Sequence, residues 1–216
     1  MEMNRNKQKK ALKLDSNLYL NKLYIYSHTT PRLVDINNKE FLDGVVYEPF
    51  MNLAITFSLS ISDNITAVIT EEIFEKAELD YDILYQCAIE NIKGQERISS
   101  IMDTIIGIIQ DDDFEGKAID ELSRDDIYVL SSKNIRFGSG YLLDNELLES
   151  IHKSIGDFVI IGSSQFELLI IADNKKIDYQ SLLELNKQVN ANEVRAEEVL
   201  ADAIYLYSGK GLSQVA

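Results

Sequence analysis

The sequence predicts an α+β fold: a mixed, mainly antiparallel sheet with helices packed on one face, arranged as two related strand-strand-helix halves. Three observations carry this. Residues 52–60 alternate strictly, Leu53, Ile55, Phe57 and Leu59 against Ala54, Thr56, Ser58 and Ser60, which is the period of a half-buried strand. Residues 145–155 place Leu148, Ile151 and Ile155 at helical spacing. Residues 158–171 set two apolar runs around the polar centre Gly162 to Gln165, as a hairpin does. Hairpins interleaved with helices favour α+β over a parallel α/β layout.

Along the chain, residues 1–16 are polar and without periodicity, a basic tail expected to be disordered. Residues 17–27 read as a short hairpin or one bent strand through Leu18, Leu20, Leu23 and Ile25. A connection containing Pro31 and Pro49 leads to the alternating strand, and residues 65–69 return as its partner after a turn. Asp80 is the expected N-cap of a helix to about Ile92, with Tyr81, Leu84, Tyr85, Ala88 and Ile92 on one face. Ile98, Ile101, Met102, Ile105, Ile106 and Ile109 repeat that spacing, with Ser99, Ser100, Asp103 and Thr104 opposite, and read as a second helix with a core-facing stripe.

Residues 111–126 form an acidic linker. Beyond it come strands at 127–131 and 137–143, the helix at 145–155, the paired strands, helices near 179–189 and 197–201, and a last strand at 204–207. The organisation is a tail (1–16), a first half (17–110), the linker (111–126) and a second half (127–208), within one domain.

Composition narrows the chemistry. A chain of 216 residues with 45% hydrophobic content can bury a substantial core. The single cysteine, Cys87, excludes a disulfide framework, and two distant histidines, His28 and His152, assemble no zinc cluster, so no cofactor or structural metal is expected. The basic N-terminus is not followed by a secretory core, and no apolar run approaches the roughly 18 residues a membrane span needs. A cytoplasmic protein with no membrane partner is the expectation. The net charge is −15, yet residues 1–16 alone contribute +3, leaving −18 on the remainder. Such a field repels nucleic acid and attracts basic partners.

Candidate motifs are weak. Asp111, Asp113, Glu115 and Gly116 match positions 1, 3, 5 and 6 of a calcium loop, but Leu122 stands where the bidentate glutamate belongs. Phe137-Gly-Ser-Gly140 lacks the third glycine of a dinucleotide turn, and Gly209-Lys-Gly211 has no helix after it. Gly162-Ser-Ser-Gln-Phe166 lacks the second glycine of a nucleophile elbow, so Ser163 and Ser164 read as turn residues. If the chain is a hydrolase, its residues are Ser163 or Ser164 with His152 and Glu167.

Residues 127–134, 138–143, 156–161 and 189–207 resemble an uncharacterised domain family of Gram-positive bacteria and their mobile elements, and residues 50–56 and 84–91 match it more loosely. The resemblance spans about residues 33–207, in a form shortened at the N-terminus. Where that family tends to read Pro-Ser-Ser-x-His-Glu, this chain has Gly162-Ser-Ser-Gln-Phe-Glu167, and Asn52 replaces an aspartate. Neither Phe166 nor Asn52 can act as a base, which weakens the catalytic reading.

The resulting expectation is a non-enzymatic protein-binding domain, in one version a phage or mobile-element inhibitor. Its acidic surface would block a basic groove of a host nucleic-acid-handling protein by imitating DNA. Asp111, Asp112, Asp113, Glu115, Asp120, Glu121, Asp125 and Asp126 form the expected mobile binding strip. A homodimer through an unpaired strand at residues 204–207 is the third expectation.

Overall fold

The computed structural model describes residues 20–62, 65–110, 116–133, 137–173 and 177–216. Its architecture is α+β with two open antiparallel sheets instead of the single sheet expected. The first is organised around the alternating segment, β3 (Leu53–Ser62), flanked by β1 (Thr29–Asp35) on one side and by β2 (Glu48–Phe50) and β4 (Ile65–Val68) on the other. The alternation marks the strand correctly but not its burial, because residues 53–59 are buried on both faces. Leu53, Ile55, Phe57 and Leu59 enter the main core, whereas Ala54 packs with Val34 and Leu42 in a separate cluster.

The second sheet has the order β10-β9-β7-β8-β6-β5. Its strands are β5 (Glu96–Ser100), β6 (Ile127–Ser132), β7 (Phe158–Ile161), β8 (Leu168–Ala172), β9 (Ile204–Ser208) and β10 (Gly211–Gln214). The hairpin at 158–171 is therefore present as β7 and β8, with Ile161 opposite Leu169. The last strand is not an unpaired edge. β9 bonds to β7 on one side and to β10 on the other, so the dimer route through residues 204–207 is closed.

The helices are α1 (Lys22–His28), α2 (Lys39–Leu42), α3 (Glu71–Lys76), α4 (Tyr81–Glu90), α5 (Ile101–Gln110), α6 (Asn145–Ile155) and α7 (Tyr179–Asn192). Asp80 caps α4 as expected, accepting the Ile83 N–H at 3.0 Å. The strand expected within 17–27 is instead α1. Asn21 caps it by accepting the N–H groups of Leu23 and Tyr24, and Ile25 and Tyr26 face the core. Residues 137–143 form a 3₁₀ turn over Gly138–Leu143, not a strand. Residues 197–201 are not helical; their backbone serves the β7–β8 loop instead, with Leu200 N–H donating to the Ser163 carbonyl at 3.1 Å and Gln165 N–H to that of Glu198 at 2.9 Å.

The largest departure concerns the stripe at 98–109. Ile98 belongs to strand β5, and the helix starts only at Ile101. The helix is also turned around. Met102, Ile105, Ile106 and Ile109 are 62, 44, 45 and 76% exposed. The polar side fastens it to the body: Ser99 and Thr104 hydroxyls lie 2.8 Å apart, the Thr104 hydroxyl donates to the Ser100 carbonyl, and Ser100 Oγ accepts the Asp103 N–H. The expected core-facing stripe is thus a surface stripe, because hydrogen bonding at the helix start fixes its rotation.

Candidate functional site

The most elaborate polar arrangement among the described residues surrounds the β7–β8 loop. Gly162 brings the chain out of β7 beneath Leu200, whose Cδ2 leaves only 2.6 Å for an added Cβ. Ser164 Oγ then accepts the N–H of Phe166 at 3.2 Å, a local turn closure. Gln165 is 2% exposed and fully committed: its amide donates to the carbonyls of Glu197 and Val199, and its Oε1 accepts from Arg32 Nε at 2.7 Å.

Arg32 projects from β1, and its guanidinium lies 4.5 Å from the ring centre of Phe41 and 4.3 Å from that of Phe137. Phe137 stacks in turn on Phe166, centres 5.7 Å apart. A planar delocalised cation between two aromatic faces suits arginine and not lysine. Phe137-Gly-Ser-Gly140, which fails as a phosphate cradle, is needed here for close approach. Gly138 N–H donates to the Phe166 carbonyl and Ser139 N–H to that of Gln165, while Ser139 Oγ accepts from Leu33 N–H in β1. The result is a cleft of about 710 Å³ with Arg32, Phe41, Phe137, Gln165, Phe166 and Arg195 in its wall. Arg195 is paired with Glu198 at 3.5 Å.

The hydrolase residues are not assembled here. His152 is near the end of α6, with Nε2 2.9 Å from Asp157 Oδ1 and its ring edge-on to Tyr207. Asp157 immediately precedes β7 and Ser163 follows that strand by two residues, which places the imidazole and the serines at opposite ends, about 20 Å apart along an extended chain. Glu167 is exposed beside β8. Its carboxyl is pushed upward by desolvation, an effect its contact with solvent discounts. A serine-reactive fluorophosphonate is accordingly expected to leave Ser163 and Ser164 unmodified, as read by intact mass; labelling lost on Ser164→Ala or Ser163→Ala would restore the hydrolase reading.

Asp111, Asp112, Asp113 and Glu115 lie outside the described residues. Asp120, Glu121, Asp125 and Asp126 are exposed, but the strip they occupy is anchored and not free. Lys117 N–H donates to the Ile98 carbonyl, Leu122 is buried, Glu121 accepts the Ala118 N–H, and the Tyr128 hydroxyl donates to Asp126. The burial of Leu122 also removes position 12 of the calcium pattern from any ligand sphere. No helix among the described residues is long and apolar enough to cross a membrane.

Sequence reasoning missed Arg32, which stands in no recognisable motif, and read Gln165 only as part of the polar centre of a hairpin. It noticed Asn52 only as a departure, yet Asn52 Oδ1 accepts the hydroxyl of the buried Tyr205 at 2.8 Å and so ties the first sheet to the second.

The sequence pattern of a family described as a family of unknown function, DUF5688, matches residues 1–209, wider than the resemblance noted from the motifs. No curated protein and no solved structure matches the chain.

Proposed function

The chain belongs to the DUF5688 family of unknown function, and we propose that it is a non-enzymatic protein-binding domain. The exposed apolar face of α5 carries this reading. Four large side chains, Met102, Ile105, Ile106 and Ile109, stand in solvent on one helix and lead directly into the acidic residues. An apolar centre beside a charged rim is how protein interfaces are built. Asp120, Glu121, Asp125 and Asp126 are exposed as well, and their charge favours a basic partner. The narrower version is an inhibitor from a phage or mobile element that fills the basic groove of a nucleic-acid-handling host protein.

The test is affinity capture with the wild type, with Ile105→Asp/Ile106→Asp, and with Asp120→Asn/Glu121→Gln/Asp125→Asn/Asp126→Asn. The apolar variant is expected to lose a basic partner completely, without losing thermal stability. The charge variant is expected to retain it weakly, with less dependence on salt. Light scattering that finds the wild type dimeric and the apolar variant monomeric would instead assign the α5 face to a second copy and overturn the reading.

A further inference from the structure

The second sheet separates two apolar layers. Phe158, Ile160 and Tyr205 enter the main core, where α6 packs through four buried aliphatic side chains, Leu147, Leu148, Ile151 and Ile155. The alternate residues Val159, Ile161 and Ile204 point the other way, as strand geometry requires, and form a cluster of their own with Leu183 of α7. Leu169, Ile171 and Leu206 border that cluster, half-buried.

α7 is held differently from α6. Its buried positions are Leu183, Asn186 and Asn190, one helical stripe in which the first residue alone is apolar. Both amides donate to a single acceptor, the Ala201 carbonyl, at 3.0 and 3.1 Å, and Asn190 also reaches Asp202 Oδ1 at 2.8 Å. Asn186 and Asn190 are only 3 and 8% exposed, and the Oδ1 of each is buried with no hydrogen-bond partner among the described residues. Each of these oxygens has left water without gaining a donor, a penalty that the docked helix carries and that disappears when it lifts. A carbonyl already served by one amide gains little from a second. An aliphatic side chain at 186 would bind the helix more firmly, so the amides keep α7 in register without locking it down.

We infer that α7 is a releasable strap: it lifts from the second sheet as a unit while the rest of the molecule stays folded, and uncovers the apolar face at Val159, Ile161 and Ile204. The division into two clusters permits this, because the main core on the other side of the sheet keeps its contacts when α7 leaves. The strands stay paired as well, since β7 is bonded to β8 and β9 independently of the helix. Lifting also breaks the 2.8 Å hydrogen bond from the Tyr179 hydroxyl to Asp173, two groups that water solvates on release.

The experiment is residue-resolved amide exchange on the full chain under native conditions, for the wild type and Asn186→Leu. In the wild type, the amides from Leu183 to Asn190 are expected to share one protection level, at least about 100-fold below that of Ile151 to Ile155 in α6. Asn186→Leu leaves Asn190 on the Ala201 carbonyl and removes one unpartnered oxygen, so exchange in α7 is expected to slow at least about tenfold. Val159→Cys reads the uncovered face directly, with the labelled peptide located by mass spectrometry and so distinguished from Cys87. Its thiol is expected to react with iodoacetamide in step with α7 exchange, and more slowly when Asn186→Leu is added. Equal protection of α7 and α6, exchange graded inward from the helix ends, no slowing in Asn186→Leu, or a Val159→Cys thiol that stays unreactive while α7 exchanges would each overturn the inference.

Discussion

Gly138→Ala is expected to destabilise the protein by about 3 kcal/mol, with a fall of roughly 10 °C in melting temperature. The added Cβ would stand 2.3 Å from the Phe166 carbonyl oxygen and 3.1 Å from its carbon, both backbone atoms that cannot rotate away. Relief requires moving either the 3₁₀ turn or the β7–β8 loop, and each move breaks the hydrogen bonds from Gly138 and Ser139 to that loop. Gly140→Ala should behave similarly, because its Cβ would meet the Pro31 carbonyl oxygen at 2.8 Å. Gly209→Ala is the control, its nearest contact being the His152 ring at 4.0 Å. Thermal melts of the three variants decide the matter; equal melting temperatures for Gly138→Ala and Gly209→Ala would refute the account.

Arg32→Ala should cost about 2–3 kcal/mol, from two cation–aromatic contacts and the hydrogen bond to Gln165. Much of that comes from leaving the buried Gln165 Oε1 without its donor. Arg32→Lys should recover little, since an ammonium cannot present a plane to both rings while reaching Oε1. Urea unfolding of Arg32→Ala, Gln165→Ala and the double variant measures the coupling, expected at about 1 kcal/mol or more. Simple additivity would mean that the two side chains act independently.

How much of this was legible in the sequence depends on the scale of the interaction. β3, the α4 cap at Asp80, α6 and the β7–β8 hairpin were all readable because a local period or a capping residue determines them. α1 is hidden in the local pattern because Leu18, Leu20, Leu23 and Ile25 suggest alternation, whereas Asn21 and the packing of Ile25 and Tyr26 select a helix. The turn at Gly138–Leu143 and the non-helical path at 197–201 follow from contacts with the loop at 163–166, far away in sequence. The orientation of α5 was illegible for a related reason. Periodicity locates an apolar face but does not say what covers it, and here Ser99, Ser100 and Thr104 hold the opposite face against the body.

The site followed the same division. The serines of residues 162–167 could be judged from local pattern, and the loop hydrogen bond of Ser164 fits a turn residue. Arg32 could not be recognised, since its value comes from Phe41, Phe137 and Gln165, which only the fold gathers. The acidic strip was visible as composition, but the anchoring of its described part, residues 116–126, through Leu122 and Lys117 was not.

β5 precedes the acidic run in the chain yet forms the outer strand of the later sheet, through five residue pairs with β6 from Glu96↔Ser132 to Ser100↔Tyr128. Scission of the peptide backbone within that run would therefore not liberate two self-sufficient bodies. The upstream fragment would retain a strand whose only ladder belongs to the other piece, and the downstream fragment would expose β6 as a raw border, so the severed molecule would hold itself together as a complemented pair.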